Sequence, residues 1–394
     1  MPHCRRWIRF IAIFCFCSSG FLLAQTEPAK TTLKDSTKKQ DAPKKKDWDV
    51  TAAHGPTSAT EFSTTEGTWM NLDVSPDGKE IVFDLLGDIY LMPVTGGEAK
   101  LLSGGPAFEI QPRFSPDGKK ISFTSDRAGG DNIWVMNRDG SNAKAMTKED
   151  FRLLNNACWT PDGKYLIARK HFTGTRSLGA GEMWMYHAAG GVEGLQLTKR
   201  RNDQQDAGEP AVSPDGRYVY FSEDMSPGSF FQYNKDPNGQ IYVIRRHDRE
   251  SGKLTNFLAG AGGAARPQPS PDGKYLAFVR RVRLKSVLYL FDLQTGEELP
   301  IYDGLSKDQQ ETWAIFGVYP NYAWTPDSKN IVIWAKGHIW KIDLATKKAL
   351  QIPFEVNVKQ TITAALHFSQ KVSPDSFEVK MIRQPITSPD GQWL

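Results

Sequence analysis

Metal-assisted hydrolysis needs imidazoles and carboxylates that converge on a cation and leave a position for water. The seven histidines, at positions 3, 54, 171, 187, 247, 338 and 367, are scattered, with no His-x-His, His-Glu-x-x-His or Cys-x-x-Cys. No Gly-x-Ser-x-Gly elbow presents a serine nucleophile; Gly174-Thr175-Arg176-Ser177-Leu178-Gly179 has the wrong spacing. Gly260-Ala261-Gly262-Gly263 does not match a phosphate-binding loop. Cys158, in Ala157-Cys158-Trp159, reads as a buried structural thiol. Two polar clusters remain: Asp203, Gln204, Gln205 and Asp206, then Asp308, Gln309, Gln310 and Glu311, with Arg169, Lys170, His171 and Arg176 supplying opposite charge on a neighbouring loop. Two kinds of chemistry suit them. They could bind a polar ligand, or the carboxylates could pair with nearby cations and fix long loops. The expectation is therefore ten candidate binding residues (the two clusters with His171 and Arg176), with no catalytic residue, metal ligand or cofactor site among these 394 residues.

The composition constrains the scaffold. With 11 Trp, 12 Tyr and 21 Phe the chain can bury a large core, which excludes global disorder. The 34 Gly and 24 Pro, without a three-residue period, argue against collagen and a helical bundle and suit many short strands and turns. The net charge of +4 is concentrated at the start of the chain. Arg5, Arg6 and Arg9 face no acid in residues 1–24, and seven lysines outnumber five acids in residues 25–50. The remainder is close to neutral, which argues against a nucleic-acid platform.

Residues 1–24 read as a secretory signal: a basic start, an apolar run from Phe10 to Leu23, and cleavage after Ala24. Residues 25–50 read as a Lys-rich flexible linker and residues 51–66 as a lead-in. Cys4, Cys15 and Cys17 leave with the signal, so Cys158 remains without a disulfide partner. The expected location is periplasmic or secreted, with no stable membrane insertion after cleavage.

One tetrapeptide organises the rest of the chain. It occurs as Ser75-Pro76-Asp77-Gly78 and returns at Ser115, Thr160, Ser213, Ser270, Thr325 (with Ser328 in place of Gly) and Ser388, at intervals of 40 to 63 residues. Ser or Thr, Pro, Asp and Gly in this order match a type I turn. Strand patterns flank it: Ile81-Val82-Phe83 and Ile89-Tyr90-Leu91-Met92 in the first repeat, Ile121-Ser122-Phe123 and Ile133-Trp134-Val135-Met136 in the second. Each repeat thus supplies four antiparallel strands, the blade of a β-propeller. The expected fold is all-β, a propeller over residues 67–394 with six complete blades and a seventh truncated within its second strand. An unclosed ring is expected, with exposed sheet edges.

These repeats resemble the Pro-Asp subclass of WD-like repeats found in TolB, tricorn-type proteases and prolyl oligopeptidase propellers. A narrower resemblance rests on irregular stretches: Glu66 to Val74, Asp88-Ile89-Tyr90, Thr147 to Asn156, Asn202 to Asp206, and Thr312 to Pro320. They resemble the TolB-like N-terminal part of exported amidohydrolases, whose metal-dependent barrel domain follows the propeller. That resemblance implies a propeller that binds or gates substrate or partner for a hydrolase domain beyond Leu394, with any divalent metal confined to that domain. Its implied partners are that hydrolase domain or an envelope protein, with peptide or small-molecule substrates. Two alternatives stay open: a stand-alone TolB-like protein-binding module, and the propeller gate of a prolyl-oligopeptidase-like serine peptidase.

Alternate connections in a four-strand meander lie at the same end of the blade. The Pro-Asp turns and the Gly-rich turns therefore share one face, and both are short. The connections between second and third strands, and between blades, share the other face, where long loops such as 223–240 and 305–317 collect. Loop expansion on one face is the pattern of a binding surface.

Overall fold

The computed structural model describes residues 49–173, 179–191, 193–364 and 371–394. The proposed signal and all but the last residues of the linker lie outside them. No helix occurs among the described residues. Six four-stranded antiparallel sheets follow one another, each with its first strand innermost. Blade 1 runs from Leu72 to Ser103, blade 2 from Glu109 to Ala145, and blade 3 from Leu153 to Gln196. Blades 4, 5 and 6 span Ala207 to Leu258, Ala265 to Tyr302, and Ala323 to Ile352. The all-β propeller expected from the repeats is what forms.

Each Pro-Asp turn is held by its own residues. Gly78 N–H donates to Ser75 O (2.8 Å), while the Ser75 hydroxyl donates to Asp77 (2.6 Å) and accepts from Glu80 N–H (2.9 Å). The fourth turn residue adopts a left-handed backbone, φ +70° at Gly78, which is why Gly recurs there. Ser328 takes the same conformation, φ 58°, and carries its steric cost. Between turns, apolar side chains alternate into the spaces between blades, as with Val82, Ile89, Ile121 and Phe123 between blades 1 and 2.

The ring closes at six blades, which corrects the expectation of an open ring completed by a seventh. Leu72 N–H donates to Asn321 O (3.1 Å), and Asn321 Nδ2 donates to Leu72 O (2.8 Å), joining the inner strands of blades 1 and 6. One apolar core runs through blades 5, 6 and 1, from Val279 and Leu290 through Ile331 and Ile333 to Leu72 and Phe83. A clasp seals this junction. Strand Thr57–Thr64, within the lead-in, pairs antiparallel with Phe354–Thr363 over eight residue pairs. Phe354 and Glu355 also pair in parallel with Gly97 and Glu98 of blade 1. Phe354, Val356 and Val358 bury their side chains beneath it, each contributing roughly 1.5–3 kcal/mol. The inner strands of blades 1 and 6 satisfy each other, so no open junction awaits a seventh sheet. The seventh turn does form, with Gly391 N–H donating to Ser388 O (2.9 Å), but residues 371–394 contain no strand and add no blade to this ring.

Candidate functional site

The axis is filled from the inner strands. Four residues before each Ser or Thr of the six ring turns stands a polar residue: Asn71, Gln111, Asn156, Glu209, Arg266 and Asn321. Gln111, Asn156, Glu209 and Arg266 have φ between 53° and 60°, and the strand pairing shifts register at each. These bulges turn long polar side chains toward the axis, the use to which β-bulges are commonly put. Arg266 is the centre. Its Nη1 donates to Asn156 Oδ1 (2.8 Å), its Nη2 to Asn71 Oδ1 (3.2 Å), and its backbone N–H to Glu209 Oε2 (2.9 Å). Burial pulls the Arg266 guanidinium down to about 10, against the attraction of Glu209.

One interblade loop crosses the axis on top of this hub. From the blade 5–6 junction it reaches blades 2, 3 and 4. Phe316 O accepts from Gln111 Nε2 (2.9 Å), Ile315 O accepts from Asn155 Nδ2 (3.1 Å), and Val318 N–H donates to Glu209 Oε1 (2.6 Å). Beside this crossing lies a cavity of about 800 Å³ on the long-loop face. Its walls come from the clasp (Phe62, Thr64), the segment between clasp and blade 1 (Glu66 to Trp69), blade 1 (Leu85, Leu86), Phe108 just before blade 2, and the crossing loop (Trp313 to Gly317). Phe108 meets Phe316 edge-on at 5.9 Å, and Trp69 stands 6.0 Å from Tyr319. Asn71 and Asp84 lie at the cavity's polar end. Asp84 accepts from Asn71 N–H (2.7 Å), Asn71 Nδ2 (2.8 Å) and Gln111 N–H (2.7 Å). Burial nonetheless pushes its carboxyl up to about 6. The cavity is aromatic, largely apolar and acidic at its polar end, as ligand pockets that orient through a few polar groups are.

The sequence candidates fall mostly outside it. Asp206 is buried against Arg169 (2.6 Å) and also accepts from Gly181 N–H (2.7 Å); burial raises its carboxyl, opposed by Arg169. Asp308 is buried against Arg281 (2.6 Å), which also holds Glu311 (2.9 Å). Glu311 sits at about 2, since Arg281 and Lys307 outweigh the opposing effect of burial. Gln205 accepts from Arg201 Nη2 (2.7 Å) and donates to Ser226 O (2.7 Å), and Gln204 accepts from Phe231 N–H (3.0 Å). Asp203 is exposed and pairs with Arg200 (2.8 Å). Gln310 donates to Gly262 O (3.1 Å). His171 packs 5.5 Å from Trp313, and burial, then Arg169, lowers it to about 3, so it stays neutral. Arg176 lies outside the described residues. Of the nine described, Gln309 alone reaches the cavity.

The cavity residues stand out in the sequence for a different reason. Glu66–Trp69 and Thr312–Gly317 belong to the irregular stretches that carry the narrower resemblance, and the fold brings them together. The axial positions have their own signal, a polar residue at a fixed distance before every turn. As for catalysis, no three His, Cys, Asp or Glu side chains gather as a metal site among the described residues. Cys158 is buried, which raises its thiol to about 12 and leaves it inert.

Comparison with known proteins agrees with this architecture. Residues 54–241 match the TolB beta propeller domain. The chain is 34% identical over 279 residues to Tricorn protease homolog 1 of Streptomyces coelicolor, covering 68% of this chain and 23% of that protein. It is 27% identical over 192 residues to the uncharacterized peptidase YuxL of Bacillus subtilis, covering 48% of this chain and 24% of the relative. It is 29% identical over 111 residues to the Tol-Pal system protein TolB of Wolinella succinogenes, covering 27% and 26%. The chain thus spans about a quarter of the length of these curated relatives. Among solved structures, TolB from Acinetobacter baumannii superposes with a TM-score of 0.54 at 14% identity, over 73% of this chain and 65% of that one. The tricorn protease superposes at 0.51 and 15%, over 73% and 26%. The chain contains a TolB-like β-propeller domain.

Proposed function

We propose that this propeller is the non-catalytic binding module of an exported hydrolase, and that it holds substrate or partner in the long-loop cavity. The observation that carries this reading is the contrast at the axis. The hub and Asp84 spend their polar groups on the fold, while the adjacent cavity keeps aromatic walls open to a ligand. The crossing loop, which forms both the axial cap and one cavity wall, couples occupancy of the cavity to closure of the axis. Gating of access to a neighbouring active site is the corresponding role.

The hydrolase type admits two readings. The irregular stretches lining the cavity favour a metal-dependent amidohydrolase domain, which would hold its own divalent cation. The match to a tricorn protease homologue over 279 residues favours a peptidase and makes peptides the ligand class. A TolB-like module docking an envelope protein would use the same cavity. The signal-like pattern of residues 1–24 supports a periplasmic or secreted location for any of these. The gene sequence following Leu394 separates them: His-x-His supports an amidohydrolase and Gly-x-Ser-x-Gly a serine peptidase.

Occupancy is testable on the purified chain with Nile red, a neutral dye whose fluorescence reports an apolar pocket. Saturable one-site binding that falls at least tenfold in Ala314→Trp, which fills the cavity, is expected. Equal binding by wild type and Ala314→Trp would overturn the assignment.

A further inference from the structure

The outer strands of the blades run from two residues (Lys144–Ala145, Leu195–Gln196) to five (Leu254–Leu258, Glu298–Tyr302). Short edges of this kind deny a foreign chain a template. The clasp strand Thr57–Thr64 is different. It lies at the edge of its sheet, with Phe354–Thr363 on one side and no strand on the other. Its eight pairs run without a register shift, so the edge is regular and roughly 26 Å long. It contains no Lys, Arg or Pro, and its single charge, Glu61, is neutralised by Lys359 at 2.7 Å. Among the described residues, nothing hydrogen-bonds the backbone of its free edge.

This edge runs into the cavity. Phe62 and Thr64 line it, and Phe62 remains 46% exposed beside the exposed Leu86 and Phe108. Side chains directly across a strand pair share a face. A chain paired to the free edge would therefore place the residues opposite Phe62 and Thr64 on the cavity side. A row of unpaired N–H and C=O groups is matched by one kind of ligand, the backbone of an extended peptide.

We infer that the free edge of Thr57–Thr64 takes an extended peptide as an added β-strand, whose apolar side chains enter the cavity beside Phe62. The inference rests on the cavity-binding reading and specifies its ligand and mode. A bound strand would hydrogen-bond through every second amide only, because successive N–H groups of a strand point to opposite edges.

The test uses the full chain and a phage-displayed library of random ten-residue peptides. Selection should enrich sequences with apolar residues at alternate positions. The tightest peptide is then made with N-methyl groups on one alternate set of amides or on the other. One set should weaken binding at least tenfold and the other less than threefold. Phe62→Asp, or the milder Phe62→Ser, should weaken binding at least tenfold with an unchanged thermal melt, and Phe151→Asp, away from the cavity, less than twofold. No enrichment while Nile red still fills the cavity overturns the strand-addition mode and leaves the cavity assignment standing. Selected peptides that ignore N-methylation parity, or the change at Phe62, overturn it as well.

Discussion

The two faces of the ring are made by the same six repeats and, Glu311 of the crossing loop apart, treat most of their perturbed carboxylates in opposite ways. On the short-turn face, Asp77, Asp117, Asp162, Asp215 and Asp327 are exposed or nearly so, and each is held below the ordinary range first by the hydroxyl of its own turn. On the long-loop face, burial drives Asp84 and Asp131 up to about 6 and raises Asp206 and Glu223. The first face is satisfied mainly within four or five residues of chain, with Arg138 of blade 2 adding a contact to Asp77 of blade 1. The second draws on partners farther along the chain, in part from neighbouring blades, as Asp206 does on Arg169 of blade 3 and Asp84 on Gln111 of blade 2, so its order depends on how the blades stack. That dependence makes it the face on which a ligand can act.

The largest effect should come from breaking a long-range pair on the loop face. Arg169→Met leaves Asp206 buried without its guanidinium, and unfolding free energy should drop by about 3–5 kcal/mol. Arg217→Met removes an exposed pairing with Asp248 and Glu250 on the turn face, and the denaturation midpoint should stay unchanged. Equal losses in the two variants would erase the difference between the faces.

The pH dependence sharpens the same comparison. The Asp84 carboxyl sits above its unfolded value of 3.8, at about 6. The folded state therefore holds its proton more tightly, and this contribution to stability is full below pH 3.8 and lost as pH rises through 6. The turn aspartates run the other way: their stabilisation is present above 3.8 and lost as pH falls through their depressed folded values, about 2 for Asp77. Denaturant titrations of wild type and Asp84→Asn between pH 4 and 7 isolate the first effect. The stability advantage of wild type should shrink with rising pH by on the order of 1–3 kcal/mol. An advantage that grows with pH would mean that the three N–H donors around Asp84 outweigh its burial.

The smallest effect belongs to the turn face. Ser328→Gly relieves a left-handed serine where the other ring turns carry glycine. It should stabilise by about 0.5–1 kcal/mol, read as a rise in melting temperature. The lost bond from Asp272 N–H to the Ser328 hydroxyl (3.1 Å) is exposed and is replaced by water.

The same division explains what could be read from the chain. The Pro-Asp turns and their strands were legible because each is encoded within about a dozen residues. The loop-face candidates stood out as polar clusters, and Arg169 as a cation able to pair with them, as it does with Asp206; Arg281, the partner of Asp308, gave no such sign because it meets that loop only in the folded blade. The six complete blades were legible, but closure of the ring was not, for a related reason. Thr57–Thr64, mostly polar, reads as a lead-in segment, and only its pairing with Phe354–Thr363 reveals it as the clasp. The axial residues were missed although their spacing is regular. A single Gln or Arg inside an apolar strand gives no sign of the bulge that turns it inward.

Hydrogen–deuterium exchange of the purified chain, with and without saturating Nile red, tests the claim that binding belongs to the long-loop face. Slowed exchange is predicted in residues 62–71, 84–87, 108–110 and 309–317, with the Pro-Asp turns unchanged. Protection confined to residues 115–118 and 160–163, on the opposite face, would contradict the account.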